Sequence, residues 1–269
     1  MLNNIEILDI DSADELSKYW PEISELFYLS FDNELDKDLW DWAYLENPLG
    51  NPKVSLALKN KKVVGHYAVI PIKLVKSNCN LDGYLSMTTM VAPEFRKFKL
   101  FQILAERVYE RIERIGSPSV VVGFPNANSS PGFRKRLGWT ILEEYSVVRL
   151  NDAQILPAKE ILLREIEKDS FKLDLSDKSI RQWRMNKPNQ SWGINQNLGL
   201  KDGQHGCDLM YVEKLEYFES TVKNKNVNLI LPKFGNDFEV VFNYQFGFRA
   251  FNMENVPSFM VEMAMSDVF

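Results

Sequence analysis

A short basic segment between a predicted strand and a predicted helix has the composition of a phosphate-binding site. The segment spans residues 91–101 and carries Arg96, Lys97 and Lys99. The helix is predicted to begin at Leu100, so its first amides lie within the segment. Those amides have no acceptor inside the helix, and the helix dipole favours a negative charge at that end. The residue types and their order therefore predict a site for a pyrophosphate group.

The composition of the chain restricts the classes of protein to which it can belong. Of its 269 residues, 45% are hydrophobic and 26% are charged, and the net charge is −5. These values are typical of a globular protein and give no general attraction to nucleic acid. No apolar run approaches the ~20 residues that cross a bilayer, and residues 1–10 lack the pattern of a signal peptide. Cys79 and Cys207 lie too far apart for metal-ligand spacing. We therefore expect no membrane, nucleic acid or metal, and a reducing, cytoplasmic location.

Apolar spacing predicts alternating helices and strands over the first 150 residues. Apolar residues recur every three or four positions in the helices and every second position in the half-buried strands. Ser130 is predicted to cap the last of these helices, and Gly138 to end it. The predicted helices are 13–30 (interrupted near Pro21), 36–46, 100–115 and 130–137, and the predicted strands are 1–10, 54–58, 63–70, 72–76, 84–91, 119–123 and 139–150.

This order of elements, with two local motifs, resembles the GNAT superfamily of acyl-CoA-dependent N-acyltransferases. The cofactor loop of that family reads Arg-x-x-Gly-x-Gly or Ala. Arg96 occupies its Arg position, whereas Lys99 and Phe101 stand where small residues are usual. The segment 137–139, Leu-Gly-Trp, is similar to the family's closing Leu-Gly-Phe signature. The resemblance covers residues 1–150 and implies an α/β (α+β) fold with a mixed sheet and an acyl-CoA co-substrate.

The resemblance also implies which residues bind acyl-CoA. In the family, the pantetheine arm enters a gap between two strands and pairs with strand backbone. The implied contacts are the backbone of Met90 and Val91 with pantetheine, the side chain of Arg96 and the amides of Lys97, Phe98, Lys99, Leu100 and Phe101 with the pyrophosphate, and Asn126 and Ser129 at the following loop. A Cβ on Lys99 or Phe101 disfavours positive φ. The loop is therefore expected to use ordinary dihedrals or to hold the phosphates slightly further out.

The acid and the base of the reaction are less evident from the residues. Where the family often places a tyrosine, three residues before its Leu-Gly signature, this chain has Arg134. The acid is therefore unassigned, and a water or Ser129 is the alternative proton source. His66 is the candidate base, because an imidazole can take a proton from an ammonium near neutral pH. The alternative is that His66 is a satisfied core residue.

Candidates for acceptor binding lie on an aromatic helix and on a similar segment in the second half. Family resemblance places the first set beside the acceptor pocket, although a helix packed on its sheet would show the same pattern. In the second set, an aromatic ring with two cations could stack on a base and bind a diphosphate. The candidates are Trp42, Tyr44 and Asn47 in the first set, and Trp183, Arg184 and Lys187 in the second.

Three local echoes in the same order indicate that the second half repeats the first. Residues 180–188 echo 40–48, residues 228–232 echo 121–125, and residues 246–248 echo 137–139. We predict a tandem arrangement, with an acyl-CoA-binding domain at 1–150 and a degenerate GNAT-like domain at 151–269 that lacks the cofactor loop. The alternative is coincidence, since Trp/Pro and Gly/aromatic pairs are common in any chain.

The sequence thus predicts an N-acyltransferase with small-molecule substrates. The motifs Trp-x-Tyr…Asn-Pro, Val-Gly-His-Tyr and Phe-Pro-Asn-x-Asn-Ser look like the GNAT subgroup that N-acylates nucleotide-linked amino sugars in bacterial polysaccharide pathways. That resemblance implies direct transfer of an acetyl or short hydroxyacyl group. Two alternatives stay open: a non-catalytic CoA-binding or scaffolding protein, and a relative of the peptidoglycan aminoacyl transferases that use aminoacyl-tRNA.

Overall fold

The computed structural model describes residues 5–77, 79–203, 206–232 and 238–266, with the side chain of residue 143 left aside. The strands are β1 (Glu6–Ile10), β2 (Lys53–Lys59), β3 (Lys62–Lys76), β4 (Cys79–Val91), β5 (Ser119–Gly123), β6 (Thr140–Leu150), β7 (Lys172–Leu173), β8 (Trp192–Asn195), β9 (Leu198–Gly203), β10 (Gly206–Val212), β11 (Val227–Pro232) and β12 (Glu239–Phe251). The helices are α1 (Ala13–Ser17), α2 (Trp20–Phe31), α3 (Lys37–Tyr44), α4 (Leu100–Glu113), α5 (Ser130–Leu137), α6 (Ile155–Glu167), α7 (Lys178–Met185) and α8 (Phe218–Val222), and short 3₁₀ helices span Pro93–Phe98, Asp152–Gln154 and Met263–Met265.

The strands form one mixed sheet that runs through both halves of the chain. Its order is β1-β2-β3-β4-β5-β12-β6-β11-β10-β9-β8, and β7 adds to β3. Only β4 with β5 and β10 with β11 pair in parallel among the described strands. The last strand of each half pairs with a strand of the other half: β6 pairs with β11, and β12 pairs with β5. The predicted mixed α/β sheet is confirmed, and its two halves share their central strands.

Strand β3 is longer than the sequence predicts. The expected pieces 63–70 and 72–76 are one strand that continues through Pro71, so the predicted break is wrong. β2 pairs with β3 only as far as Val69, so none of the described strands bonds to Pro71 on that side. A proline is tolerated there because its missing N–H has no strand to bond. Asn47 Nδ2 donates to the Pro71 carbonyl at 2.9 Å and ties the end of α3 to this strand.

The helices that matter for the site lie on opposite faces of the sheet. Consecutive residues of β3 point to opposite faces, as in any strand. Tyr67 contacts Tyr109 of α4 on one face, while His66 contacts Tyr44 of α3 on the other. A ligand between β4 and β5 would therefore meet α4 on one side and the α2–α3 pair on the other.

Local sequence signals explain where several helices begin and end. Asp36 caps α3 by accepting from the amides of Asp38 and Leu39, and Gly138 ends α5 with φ +65°. The predicted interruption near Pro21 is confirmed, because α1 and α2 are separate and Pro21 lies in the first turn of α2. None of the described helices is long and apolar enough to span a bilayer.

Candidate active site

A gap opens between β4 and β5 at the centre of the sheet. Their parallel pairing runs from Asp82 with Ser119 to Leu85 with Val122, and no further pairs follow among the described residues. Beyond this point β4 stays paired with β3, and β5 stays paired with β12. β5 ends at Gly123 whereas β4 continues to Val91, so the last residues of β4 have no strand partner on this side in the part of the chain that the structure describes. Met90 and Val91, predicted to pair with pantetheine, lie on β4 along this gap.

A bulge in β4 faces the gap and is held by His66. Met90 pairs with His66 and Met87 with Ala68, so one extra residue is accommodated in β4. Thr88 within the bulge has φ +54°, a strained conformation for a β-branched residue. His66 Nδ1 lies 2.7 Å from the Thr88 carbonyl oxygen. A carbonyl only accepts, so Nδ1 carries the proton and Nε2 presents its lone pair.

The surroundings of His66 limit its strength as a base. The side chain is fully buried, and Nε2 has no hydrogen-bond partner among the described residues. Burial lowers the pKa of His66 to about 4, and the bond to Thr88 opposes that change only in part. The imidazole is therefore neutral at pH 7, and it is a weaker base than the sequence suggests.

The predicted pyrophosphate loop has a backbone geometry that is suited to an anion. The 3₁₀ helix Pro93–Phe98 is followed by Lys99 with φ +59° and ψ +23°, and α4 begins at Leu100. A right-handed residue followed by a left-handed one turns successive N–H groups toward a common point. The amides of Phe98, Lys99 and Leu100 have this arrangement. The expectation that the loop uses ordinary dihedrals is wrong, because Lys99 adopts the conformation that glycine usually takes.

The side chains of this loop divide into exposed cations and packed aromatics. Arg96, Lys97 and Lys99 are exposed, and Arg96 Nε donates to the Val91 carbonyl at 3.2 Å. The Phe101 ring meets the Phe133 ring of α5 at a centroid distance of 5.2 Å. Phe101 thus packs between the starts of α4 and α5, while the three cations stay exposed.

The loop after β5 lies on the other side of the gap. Asn126 is exposed, and its Oδ1 accepts from the amides of Asn128 and Ser129, both at 3.0 Å. Ser129 Oγ donates to the Asn126 carbonyl at 3.3 Å. The predicted Ser130 cap is wrong, because Ser130 is the first residue of α5 and its amide donates to the Asn126 carbonyl. Asn126 thus orders the turn and keeps its amide nitrogen for other partners.

An apolar cleft lies on the opposite face from α4, between the α2–α3 pair and the bulge. Its volume is about 290 Å³. The lining residues are Phe27, Phe31, Leu35, Leu39, Trp40, Tyr44, Met87, Thr88 and Thr89. Of the predicted acceptor residues, Tyr44 lies here. The other lining residues were not predicted from the sequence, although the apolar spacing of α2 and α3 was the available signal.

The remaining predicted acceptor residues lie in the interior. Trp42 and Trp183 stack with ring centroids 4.7 Å apart, and the Lys187 ammonium lies 5.9 Å from the Trp42 ring. The Arg184 guanidinium donates to the carbonyls of Ala264 and Ser266. The structure brings these four side chains together, but none of them lines the cleft. Asn47 is also buried, where it holds the end of α3.

A hydroxyl chain on the α4 face was not anticipated from the sequence. The Ser86 hydroxyl donates to the Tyr67 hydroxyl oxygen at 3.1 Å, and the Tyr67 and Tyr109 oxygens lie 2.7 Å apart. Trp139 Nε1 donates to the Tyr109 oxygen at 2.8 Å. Ser86 directly follows the last residue of β4 that pairs with β5, so the hydroxyl chain ends where the gap begins. Trp139 of the Leu-Gly-Trp segment was its only local signal.

Comparison with known proteins finds a family model that matches most of the first half of the chain. Residues 14–142 match the family model of the acetyltransferase (GNAT) domain. No curated protein matches the sequence.

Several solved structures have the same fold at low sequence identity. A GCN5-related N-acetyltransferase from Kribbella flavida has a TM-score of 0.63 and 12% identity, over 93% of this chain and 72% of that one. Another from Anabaena variabilis has a TM-score of 0.59 and 10% identity, over 91% and 72%. A structure from Pyrococcus horikoshii, provisionally assigned as an acetyltransferase, has a TM-score of 0.55 and 11% identity, over 97% and 96%. These likenesses show the fold.

Proposed function

We propose a specific reaction for this acyl-CoA-dependent acyltransferase, whose residues 14–142 form a GNAT acetyltransferase domain. An acetyl or short hydroxyacyl group passes directly from acyl-CoA to the amine of an amino sugar carried on a nucleotide. The observation that carries the proposal is the gap between β4 and β5, which links a cationic anion-binding loop to an apolar cleft on the opposite face.

The acyl-CoA would follow the gap from the loop to the bulge. The amides of Phe98, Lys99 and Leu100 suit the pyrophosphate, and the exposed cations add charge-assisted bonds. The strand backbone at Met90 and Val91 suits the pantetheine arm, with Asn126 opposite. The thioester then reaches the bulge at Thr88, which the cleft borders from the acceptor side.

Direct transfer needs three events at the bulge. The ammonium of the acceptor gives a proton to water, its nitrogen attacks the thioester carbonyl and gives its second proton to water, and sulfur leaves with the electron pair of the C–S bond. A backbone amide of the bulge near Thr88 would stabilise the oxyanion. His66 is buried and weakly basic, so we assign it first to holding Thr88 in place. Proton removal by His66 Nε2 remains the sequence-based alternative.

The cleft suits a sugar ring better than a nucleotide. Its volume of about 290 Å³ is near the lower end for small-molecule sites, and its walls are mainly aromatic and aliphatic. A deoxysugar has apolar C–H faces that can pack on such rings, while the nucleotide would extend outside. Arg184 and Trp183 are engaged in the interior. The proposal therefore places the acceptor in the cleft rather than beside those residues.

A degenerate second copy of the fold would account for the arrangement of the second half. The sheet order is symmetric about β12 and β6, and each half contains one parallel pair. Helices α3 and α7 both have eight residues and an aspartate cap, Asp36 and Asp177. α8, in the position of α4, has only five residues. When the two caps are aligned, Trp183 corresponds to Trp42. The sequence echo aligns the two segments one residue differently.

A substrate panel tests the proposal. The protein is incubated with acetyl-CoA and, separately, dTDP-amino sugars, UDP-amino sugars, free amino sugars, polyamines and a lysine peptide, and thiol release is measured. Release with a sugar nucleotide supports the proposal. Thiol release only with the peptide or polyamines would show that the acceptor is not a nucleotide-linked amino sugar. Binding of acetyl-CoA without any release would favour the non-catalytic alternative.

A further inference from the structure

The vertex of the gap between β4 and β5 is formed by two residues side by side. Ser86 and Gly123 follow the last parallel pair, Leu85 with Val122. A Cβ on Gly123 would lie 3.4 Å from the Ser86 carbonyl oxygen and 3.2 Å from the Trp139 ring. The Ser86 side chain therefore stands at the closed end of the space that the pantetheine arm enters under the proposed function.

The hydroxyl chain that starts at Ser86 reaches solvent only at the serine. Tyr67, Tyr109 and Trp139 are buried, and Ser86 is half-buried. Burial raises the pKa of Tyr67 to about 12, and it also raises the pKa of Tyr109. Both phenols therefore keep their protons at neutral pH, and each can both donate and accept a hydrogen bond.

Counting donors and acceptors shows which arrangement of protons satisfies every hydroxyl in the series. Trp139 can only donate, so the Tyr109 oxygen accepts from it at 2.8 Å. In the structure Ser86 Oγ donates to the Tyr67 oxygen at 3.1 Å, and this arrangement leaves one phenol proton without an acceptor among the described residues. Rotating the Ser86 proton toward the gap removes that deficit. Trp139 then donates to Tyr109, Tyr109 to Tyr67, and Tyr67 to Ser86, and a hydroxyl rotates freely enough to allow this.

We propose that the Ser86 hydroxyl, oriented by Tyr67 and Tyr109, donates a hydrogen bond to the thioester sulfur of acyl-CoA and stabilises the thiolate as it leaves. The inference rests on the proposed function. In the family, a tyrosine often assists the departing thiolate. This protein has Arg134 at that position, and Ser86 would supply the hydroxyl instead. No proton is transferred by Ser86: the C–N bond forms, the C–S bond breaks, and sulfur keeps the electron pair. Tyr67 and Tyr109 are positioning residues, because they act through Ser86.

The ionisation of bound CoA tests the contact without any turnover. A donor at sulfur favours the thiolate, so the pKa of the CoA thiol bound to the wild type should be lower by about one unit than that of CoA bound to Ser86→Ala. The titration is followed by the ultraviolet absorbance of the thiolate. Ser146→Ala, another buried strand serine, is the control and should match the wild type. Equal thiol pKa values in the wild-type and Ser86→Ala complexes would overturn the proposal, whatever the fate of the proposed acyl transfer.

A kinetic cycle tests the positioning role with the best acceptor from the panel. We expect Ser86→Ala to lower kcat about tenfold with little change in the acetyl-CoA KM, since a bond to a developing charge is lost. Ser86→Thr keeps the hydroxyl and should retain most activity. Tyr67→Phe should lower kcat about threefold alone and have no further effect in Ser86→Ala. Additive effects would show that Tyr67 is merely structural and would overturn its assignment. Tyr145→Phe controls for losing a buried phenol.

Discussion

Trp42 and Trp183 form a reciprocal pair across the two halves of the chain. Their rings are nearly parallel, at 13°, and the Trp42 indole donates to the Trp183 carbonyl at 2.7 Å. The Trp183 indole returns the bond to the Trp42 carbonyl at 2.8 Å. Each bond is buried, and the two residues are 141 positions apart. The pair therefore joins α3, which borders the cleft, to α7 of the second half.

Removing one indole from this pair should destabilise the whole protein. Trp183→Phe keeps an aromatic ring but leaves the Trp42 carbonyl buried without its donor, which costs about 1–3 kcal/mol. We expect the free energy of unfolding in urea to fall by that amount beyond the cost of lost ring volume. Trp40→Phe is the matched control, because Trp40 is also buried and its Nε1 has no partner among the described residues. Equal losses in both variants would contradict the role of the hydrogen bond.

The pyrophosphate loop should lose affinity when its cations are removed. Arg96→Ala combined with Lys99→Ala should raise the acetyl-CoA KM about tenfold or more, as charge-assisted bonds of roughly 1.5–3 kcal/mol are lost. The unfolding midpoint is measured in parallel to show that the loop stays folded. An unchanged KM in a folded double variant would show that this loop does not bind the CoA phosphates.

The backbone of Lys99 gives a second, separable prediction. Lys99 has φ +59° and Lys61, in the turn between β2 and β3, has φ +66°. Glycine at either position should stabilise the protein by about 1 kcal/mol, because a left-handed conformation strains residues with a Cβ. Lys99→Gly should also raise the acetyl-CoA KM, whereas Lys61→Gly should leave it unchanged. A rise in KM with both variants would indicate a general effect of glycine and not a loss of local charge.

The pyrophosphate loop was open to prediction because its signals are local. A strand end, three cations and a helix start lie within eleven residues, 91–101. The left-handed backbone of Lys99 was not predicted, since a residue with a Cβ rarely adopts it, although the family loop has glycine at this position. Ser86 and Tyr109 could not be linked either, because they lie on different elements and carry no shared motif. The exchange of β6 and β12 depends on long-range pairing, which short sequence echoes do not encode.

Two variants of His66 should separate its possible roles. Asn can present a donor near the position of Nδ1 and keep the bond to Thr88, whereas Gln reaches the position of Nε2. If His66 holds the bulge, His66→Asn should keep kcat within about threefold, and His66→Gln should lose roughly tenfold or more. A loss of about 100-fold in both, with an acidic limb near pH 4 in the wild type, would instead establish His66 as the base.

Glu262 should make the protein less stable as the pH rises. Its Oε1 accepts from the Val212 amide at 2.8 Å, and burial raises its pKa from 4.5 to about 7 despite the nearby Lys172. The folded state therefore holds a proton more tightly than the unfolded state, so this stability is complete below pH 4.5 and is lost as pH rises toward 7. We expect Glu262→Gln to gain roughly 3 kcal/mol relative to the wild type between pH 4.5 and 8, from urea unfolding at each pH.

His66 changes the free energy of unfolding with pH in the opposite direction. The effect of Glu262 is therefore visible only when Glu262→Gln is compared with the wild type. The pKa of His66 falls from 6.5 to about 4 on folding, so the unfolded state binds the proton first. Its contribution is complete above pH 6.5 and is lost as the pH falls toward 4. In the wild type the two slopes partly cancel between pH 4.5 and 6.5, where both groups titrate. Glu213→Gln makes the same change in net charge at the surface beside β10. If the gain of Glu262→Gln did not grow with pH beyond that control, the buried carboxyl would not be responsible.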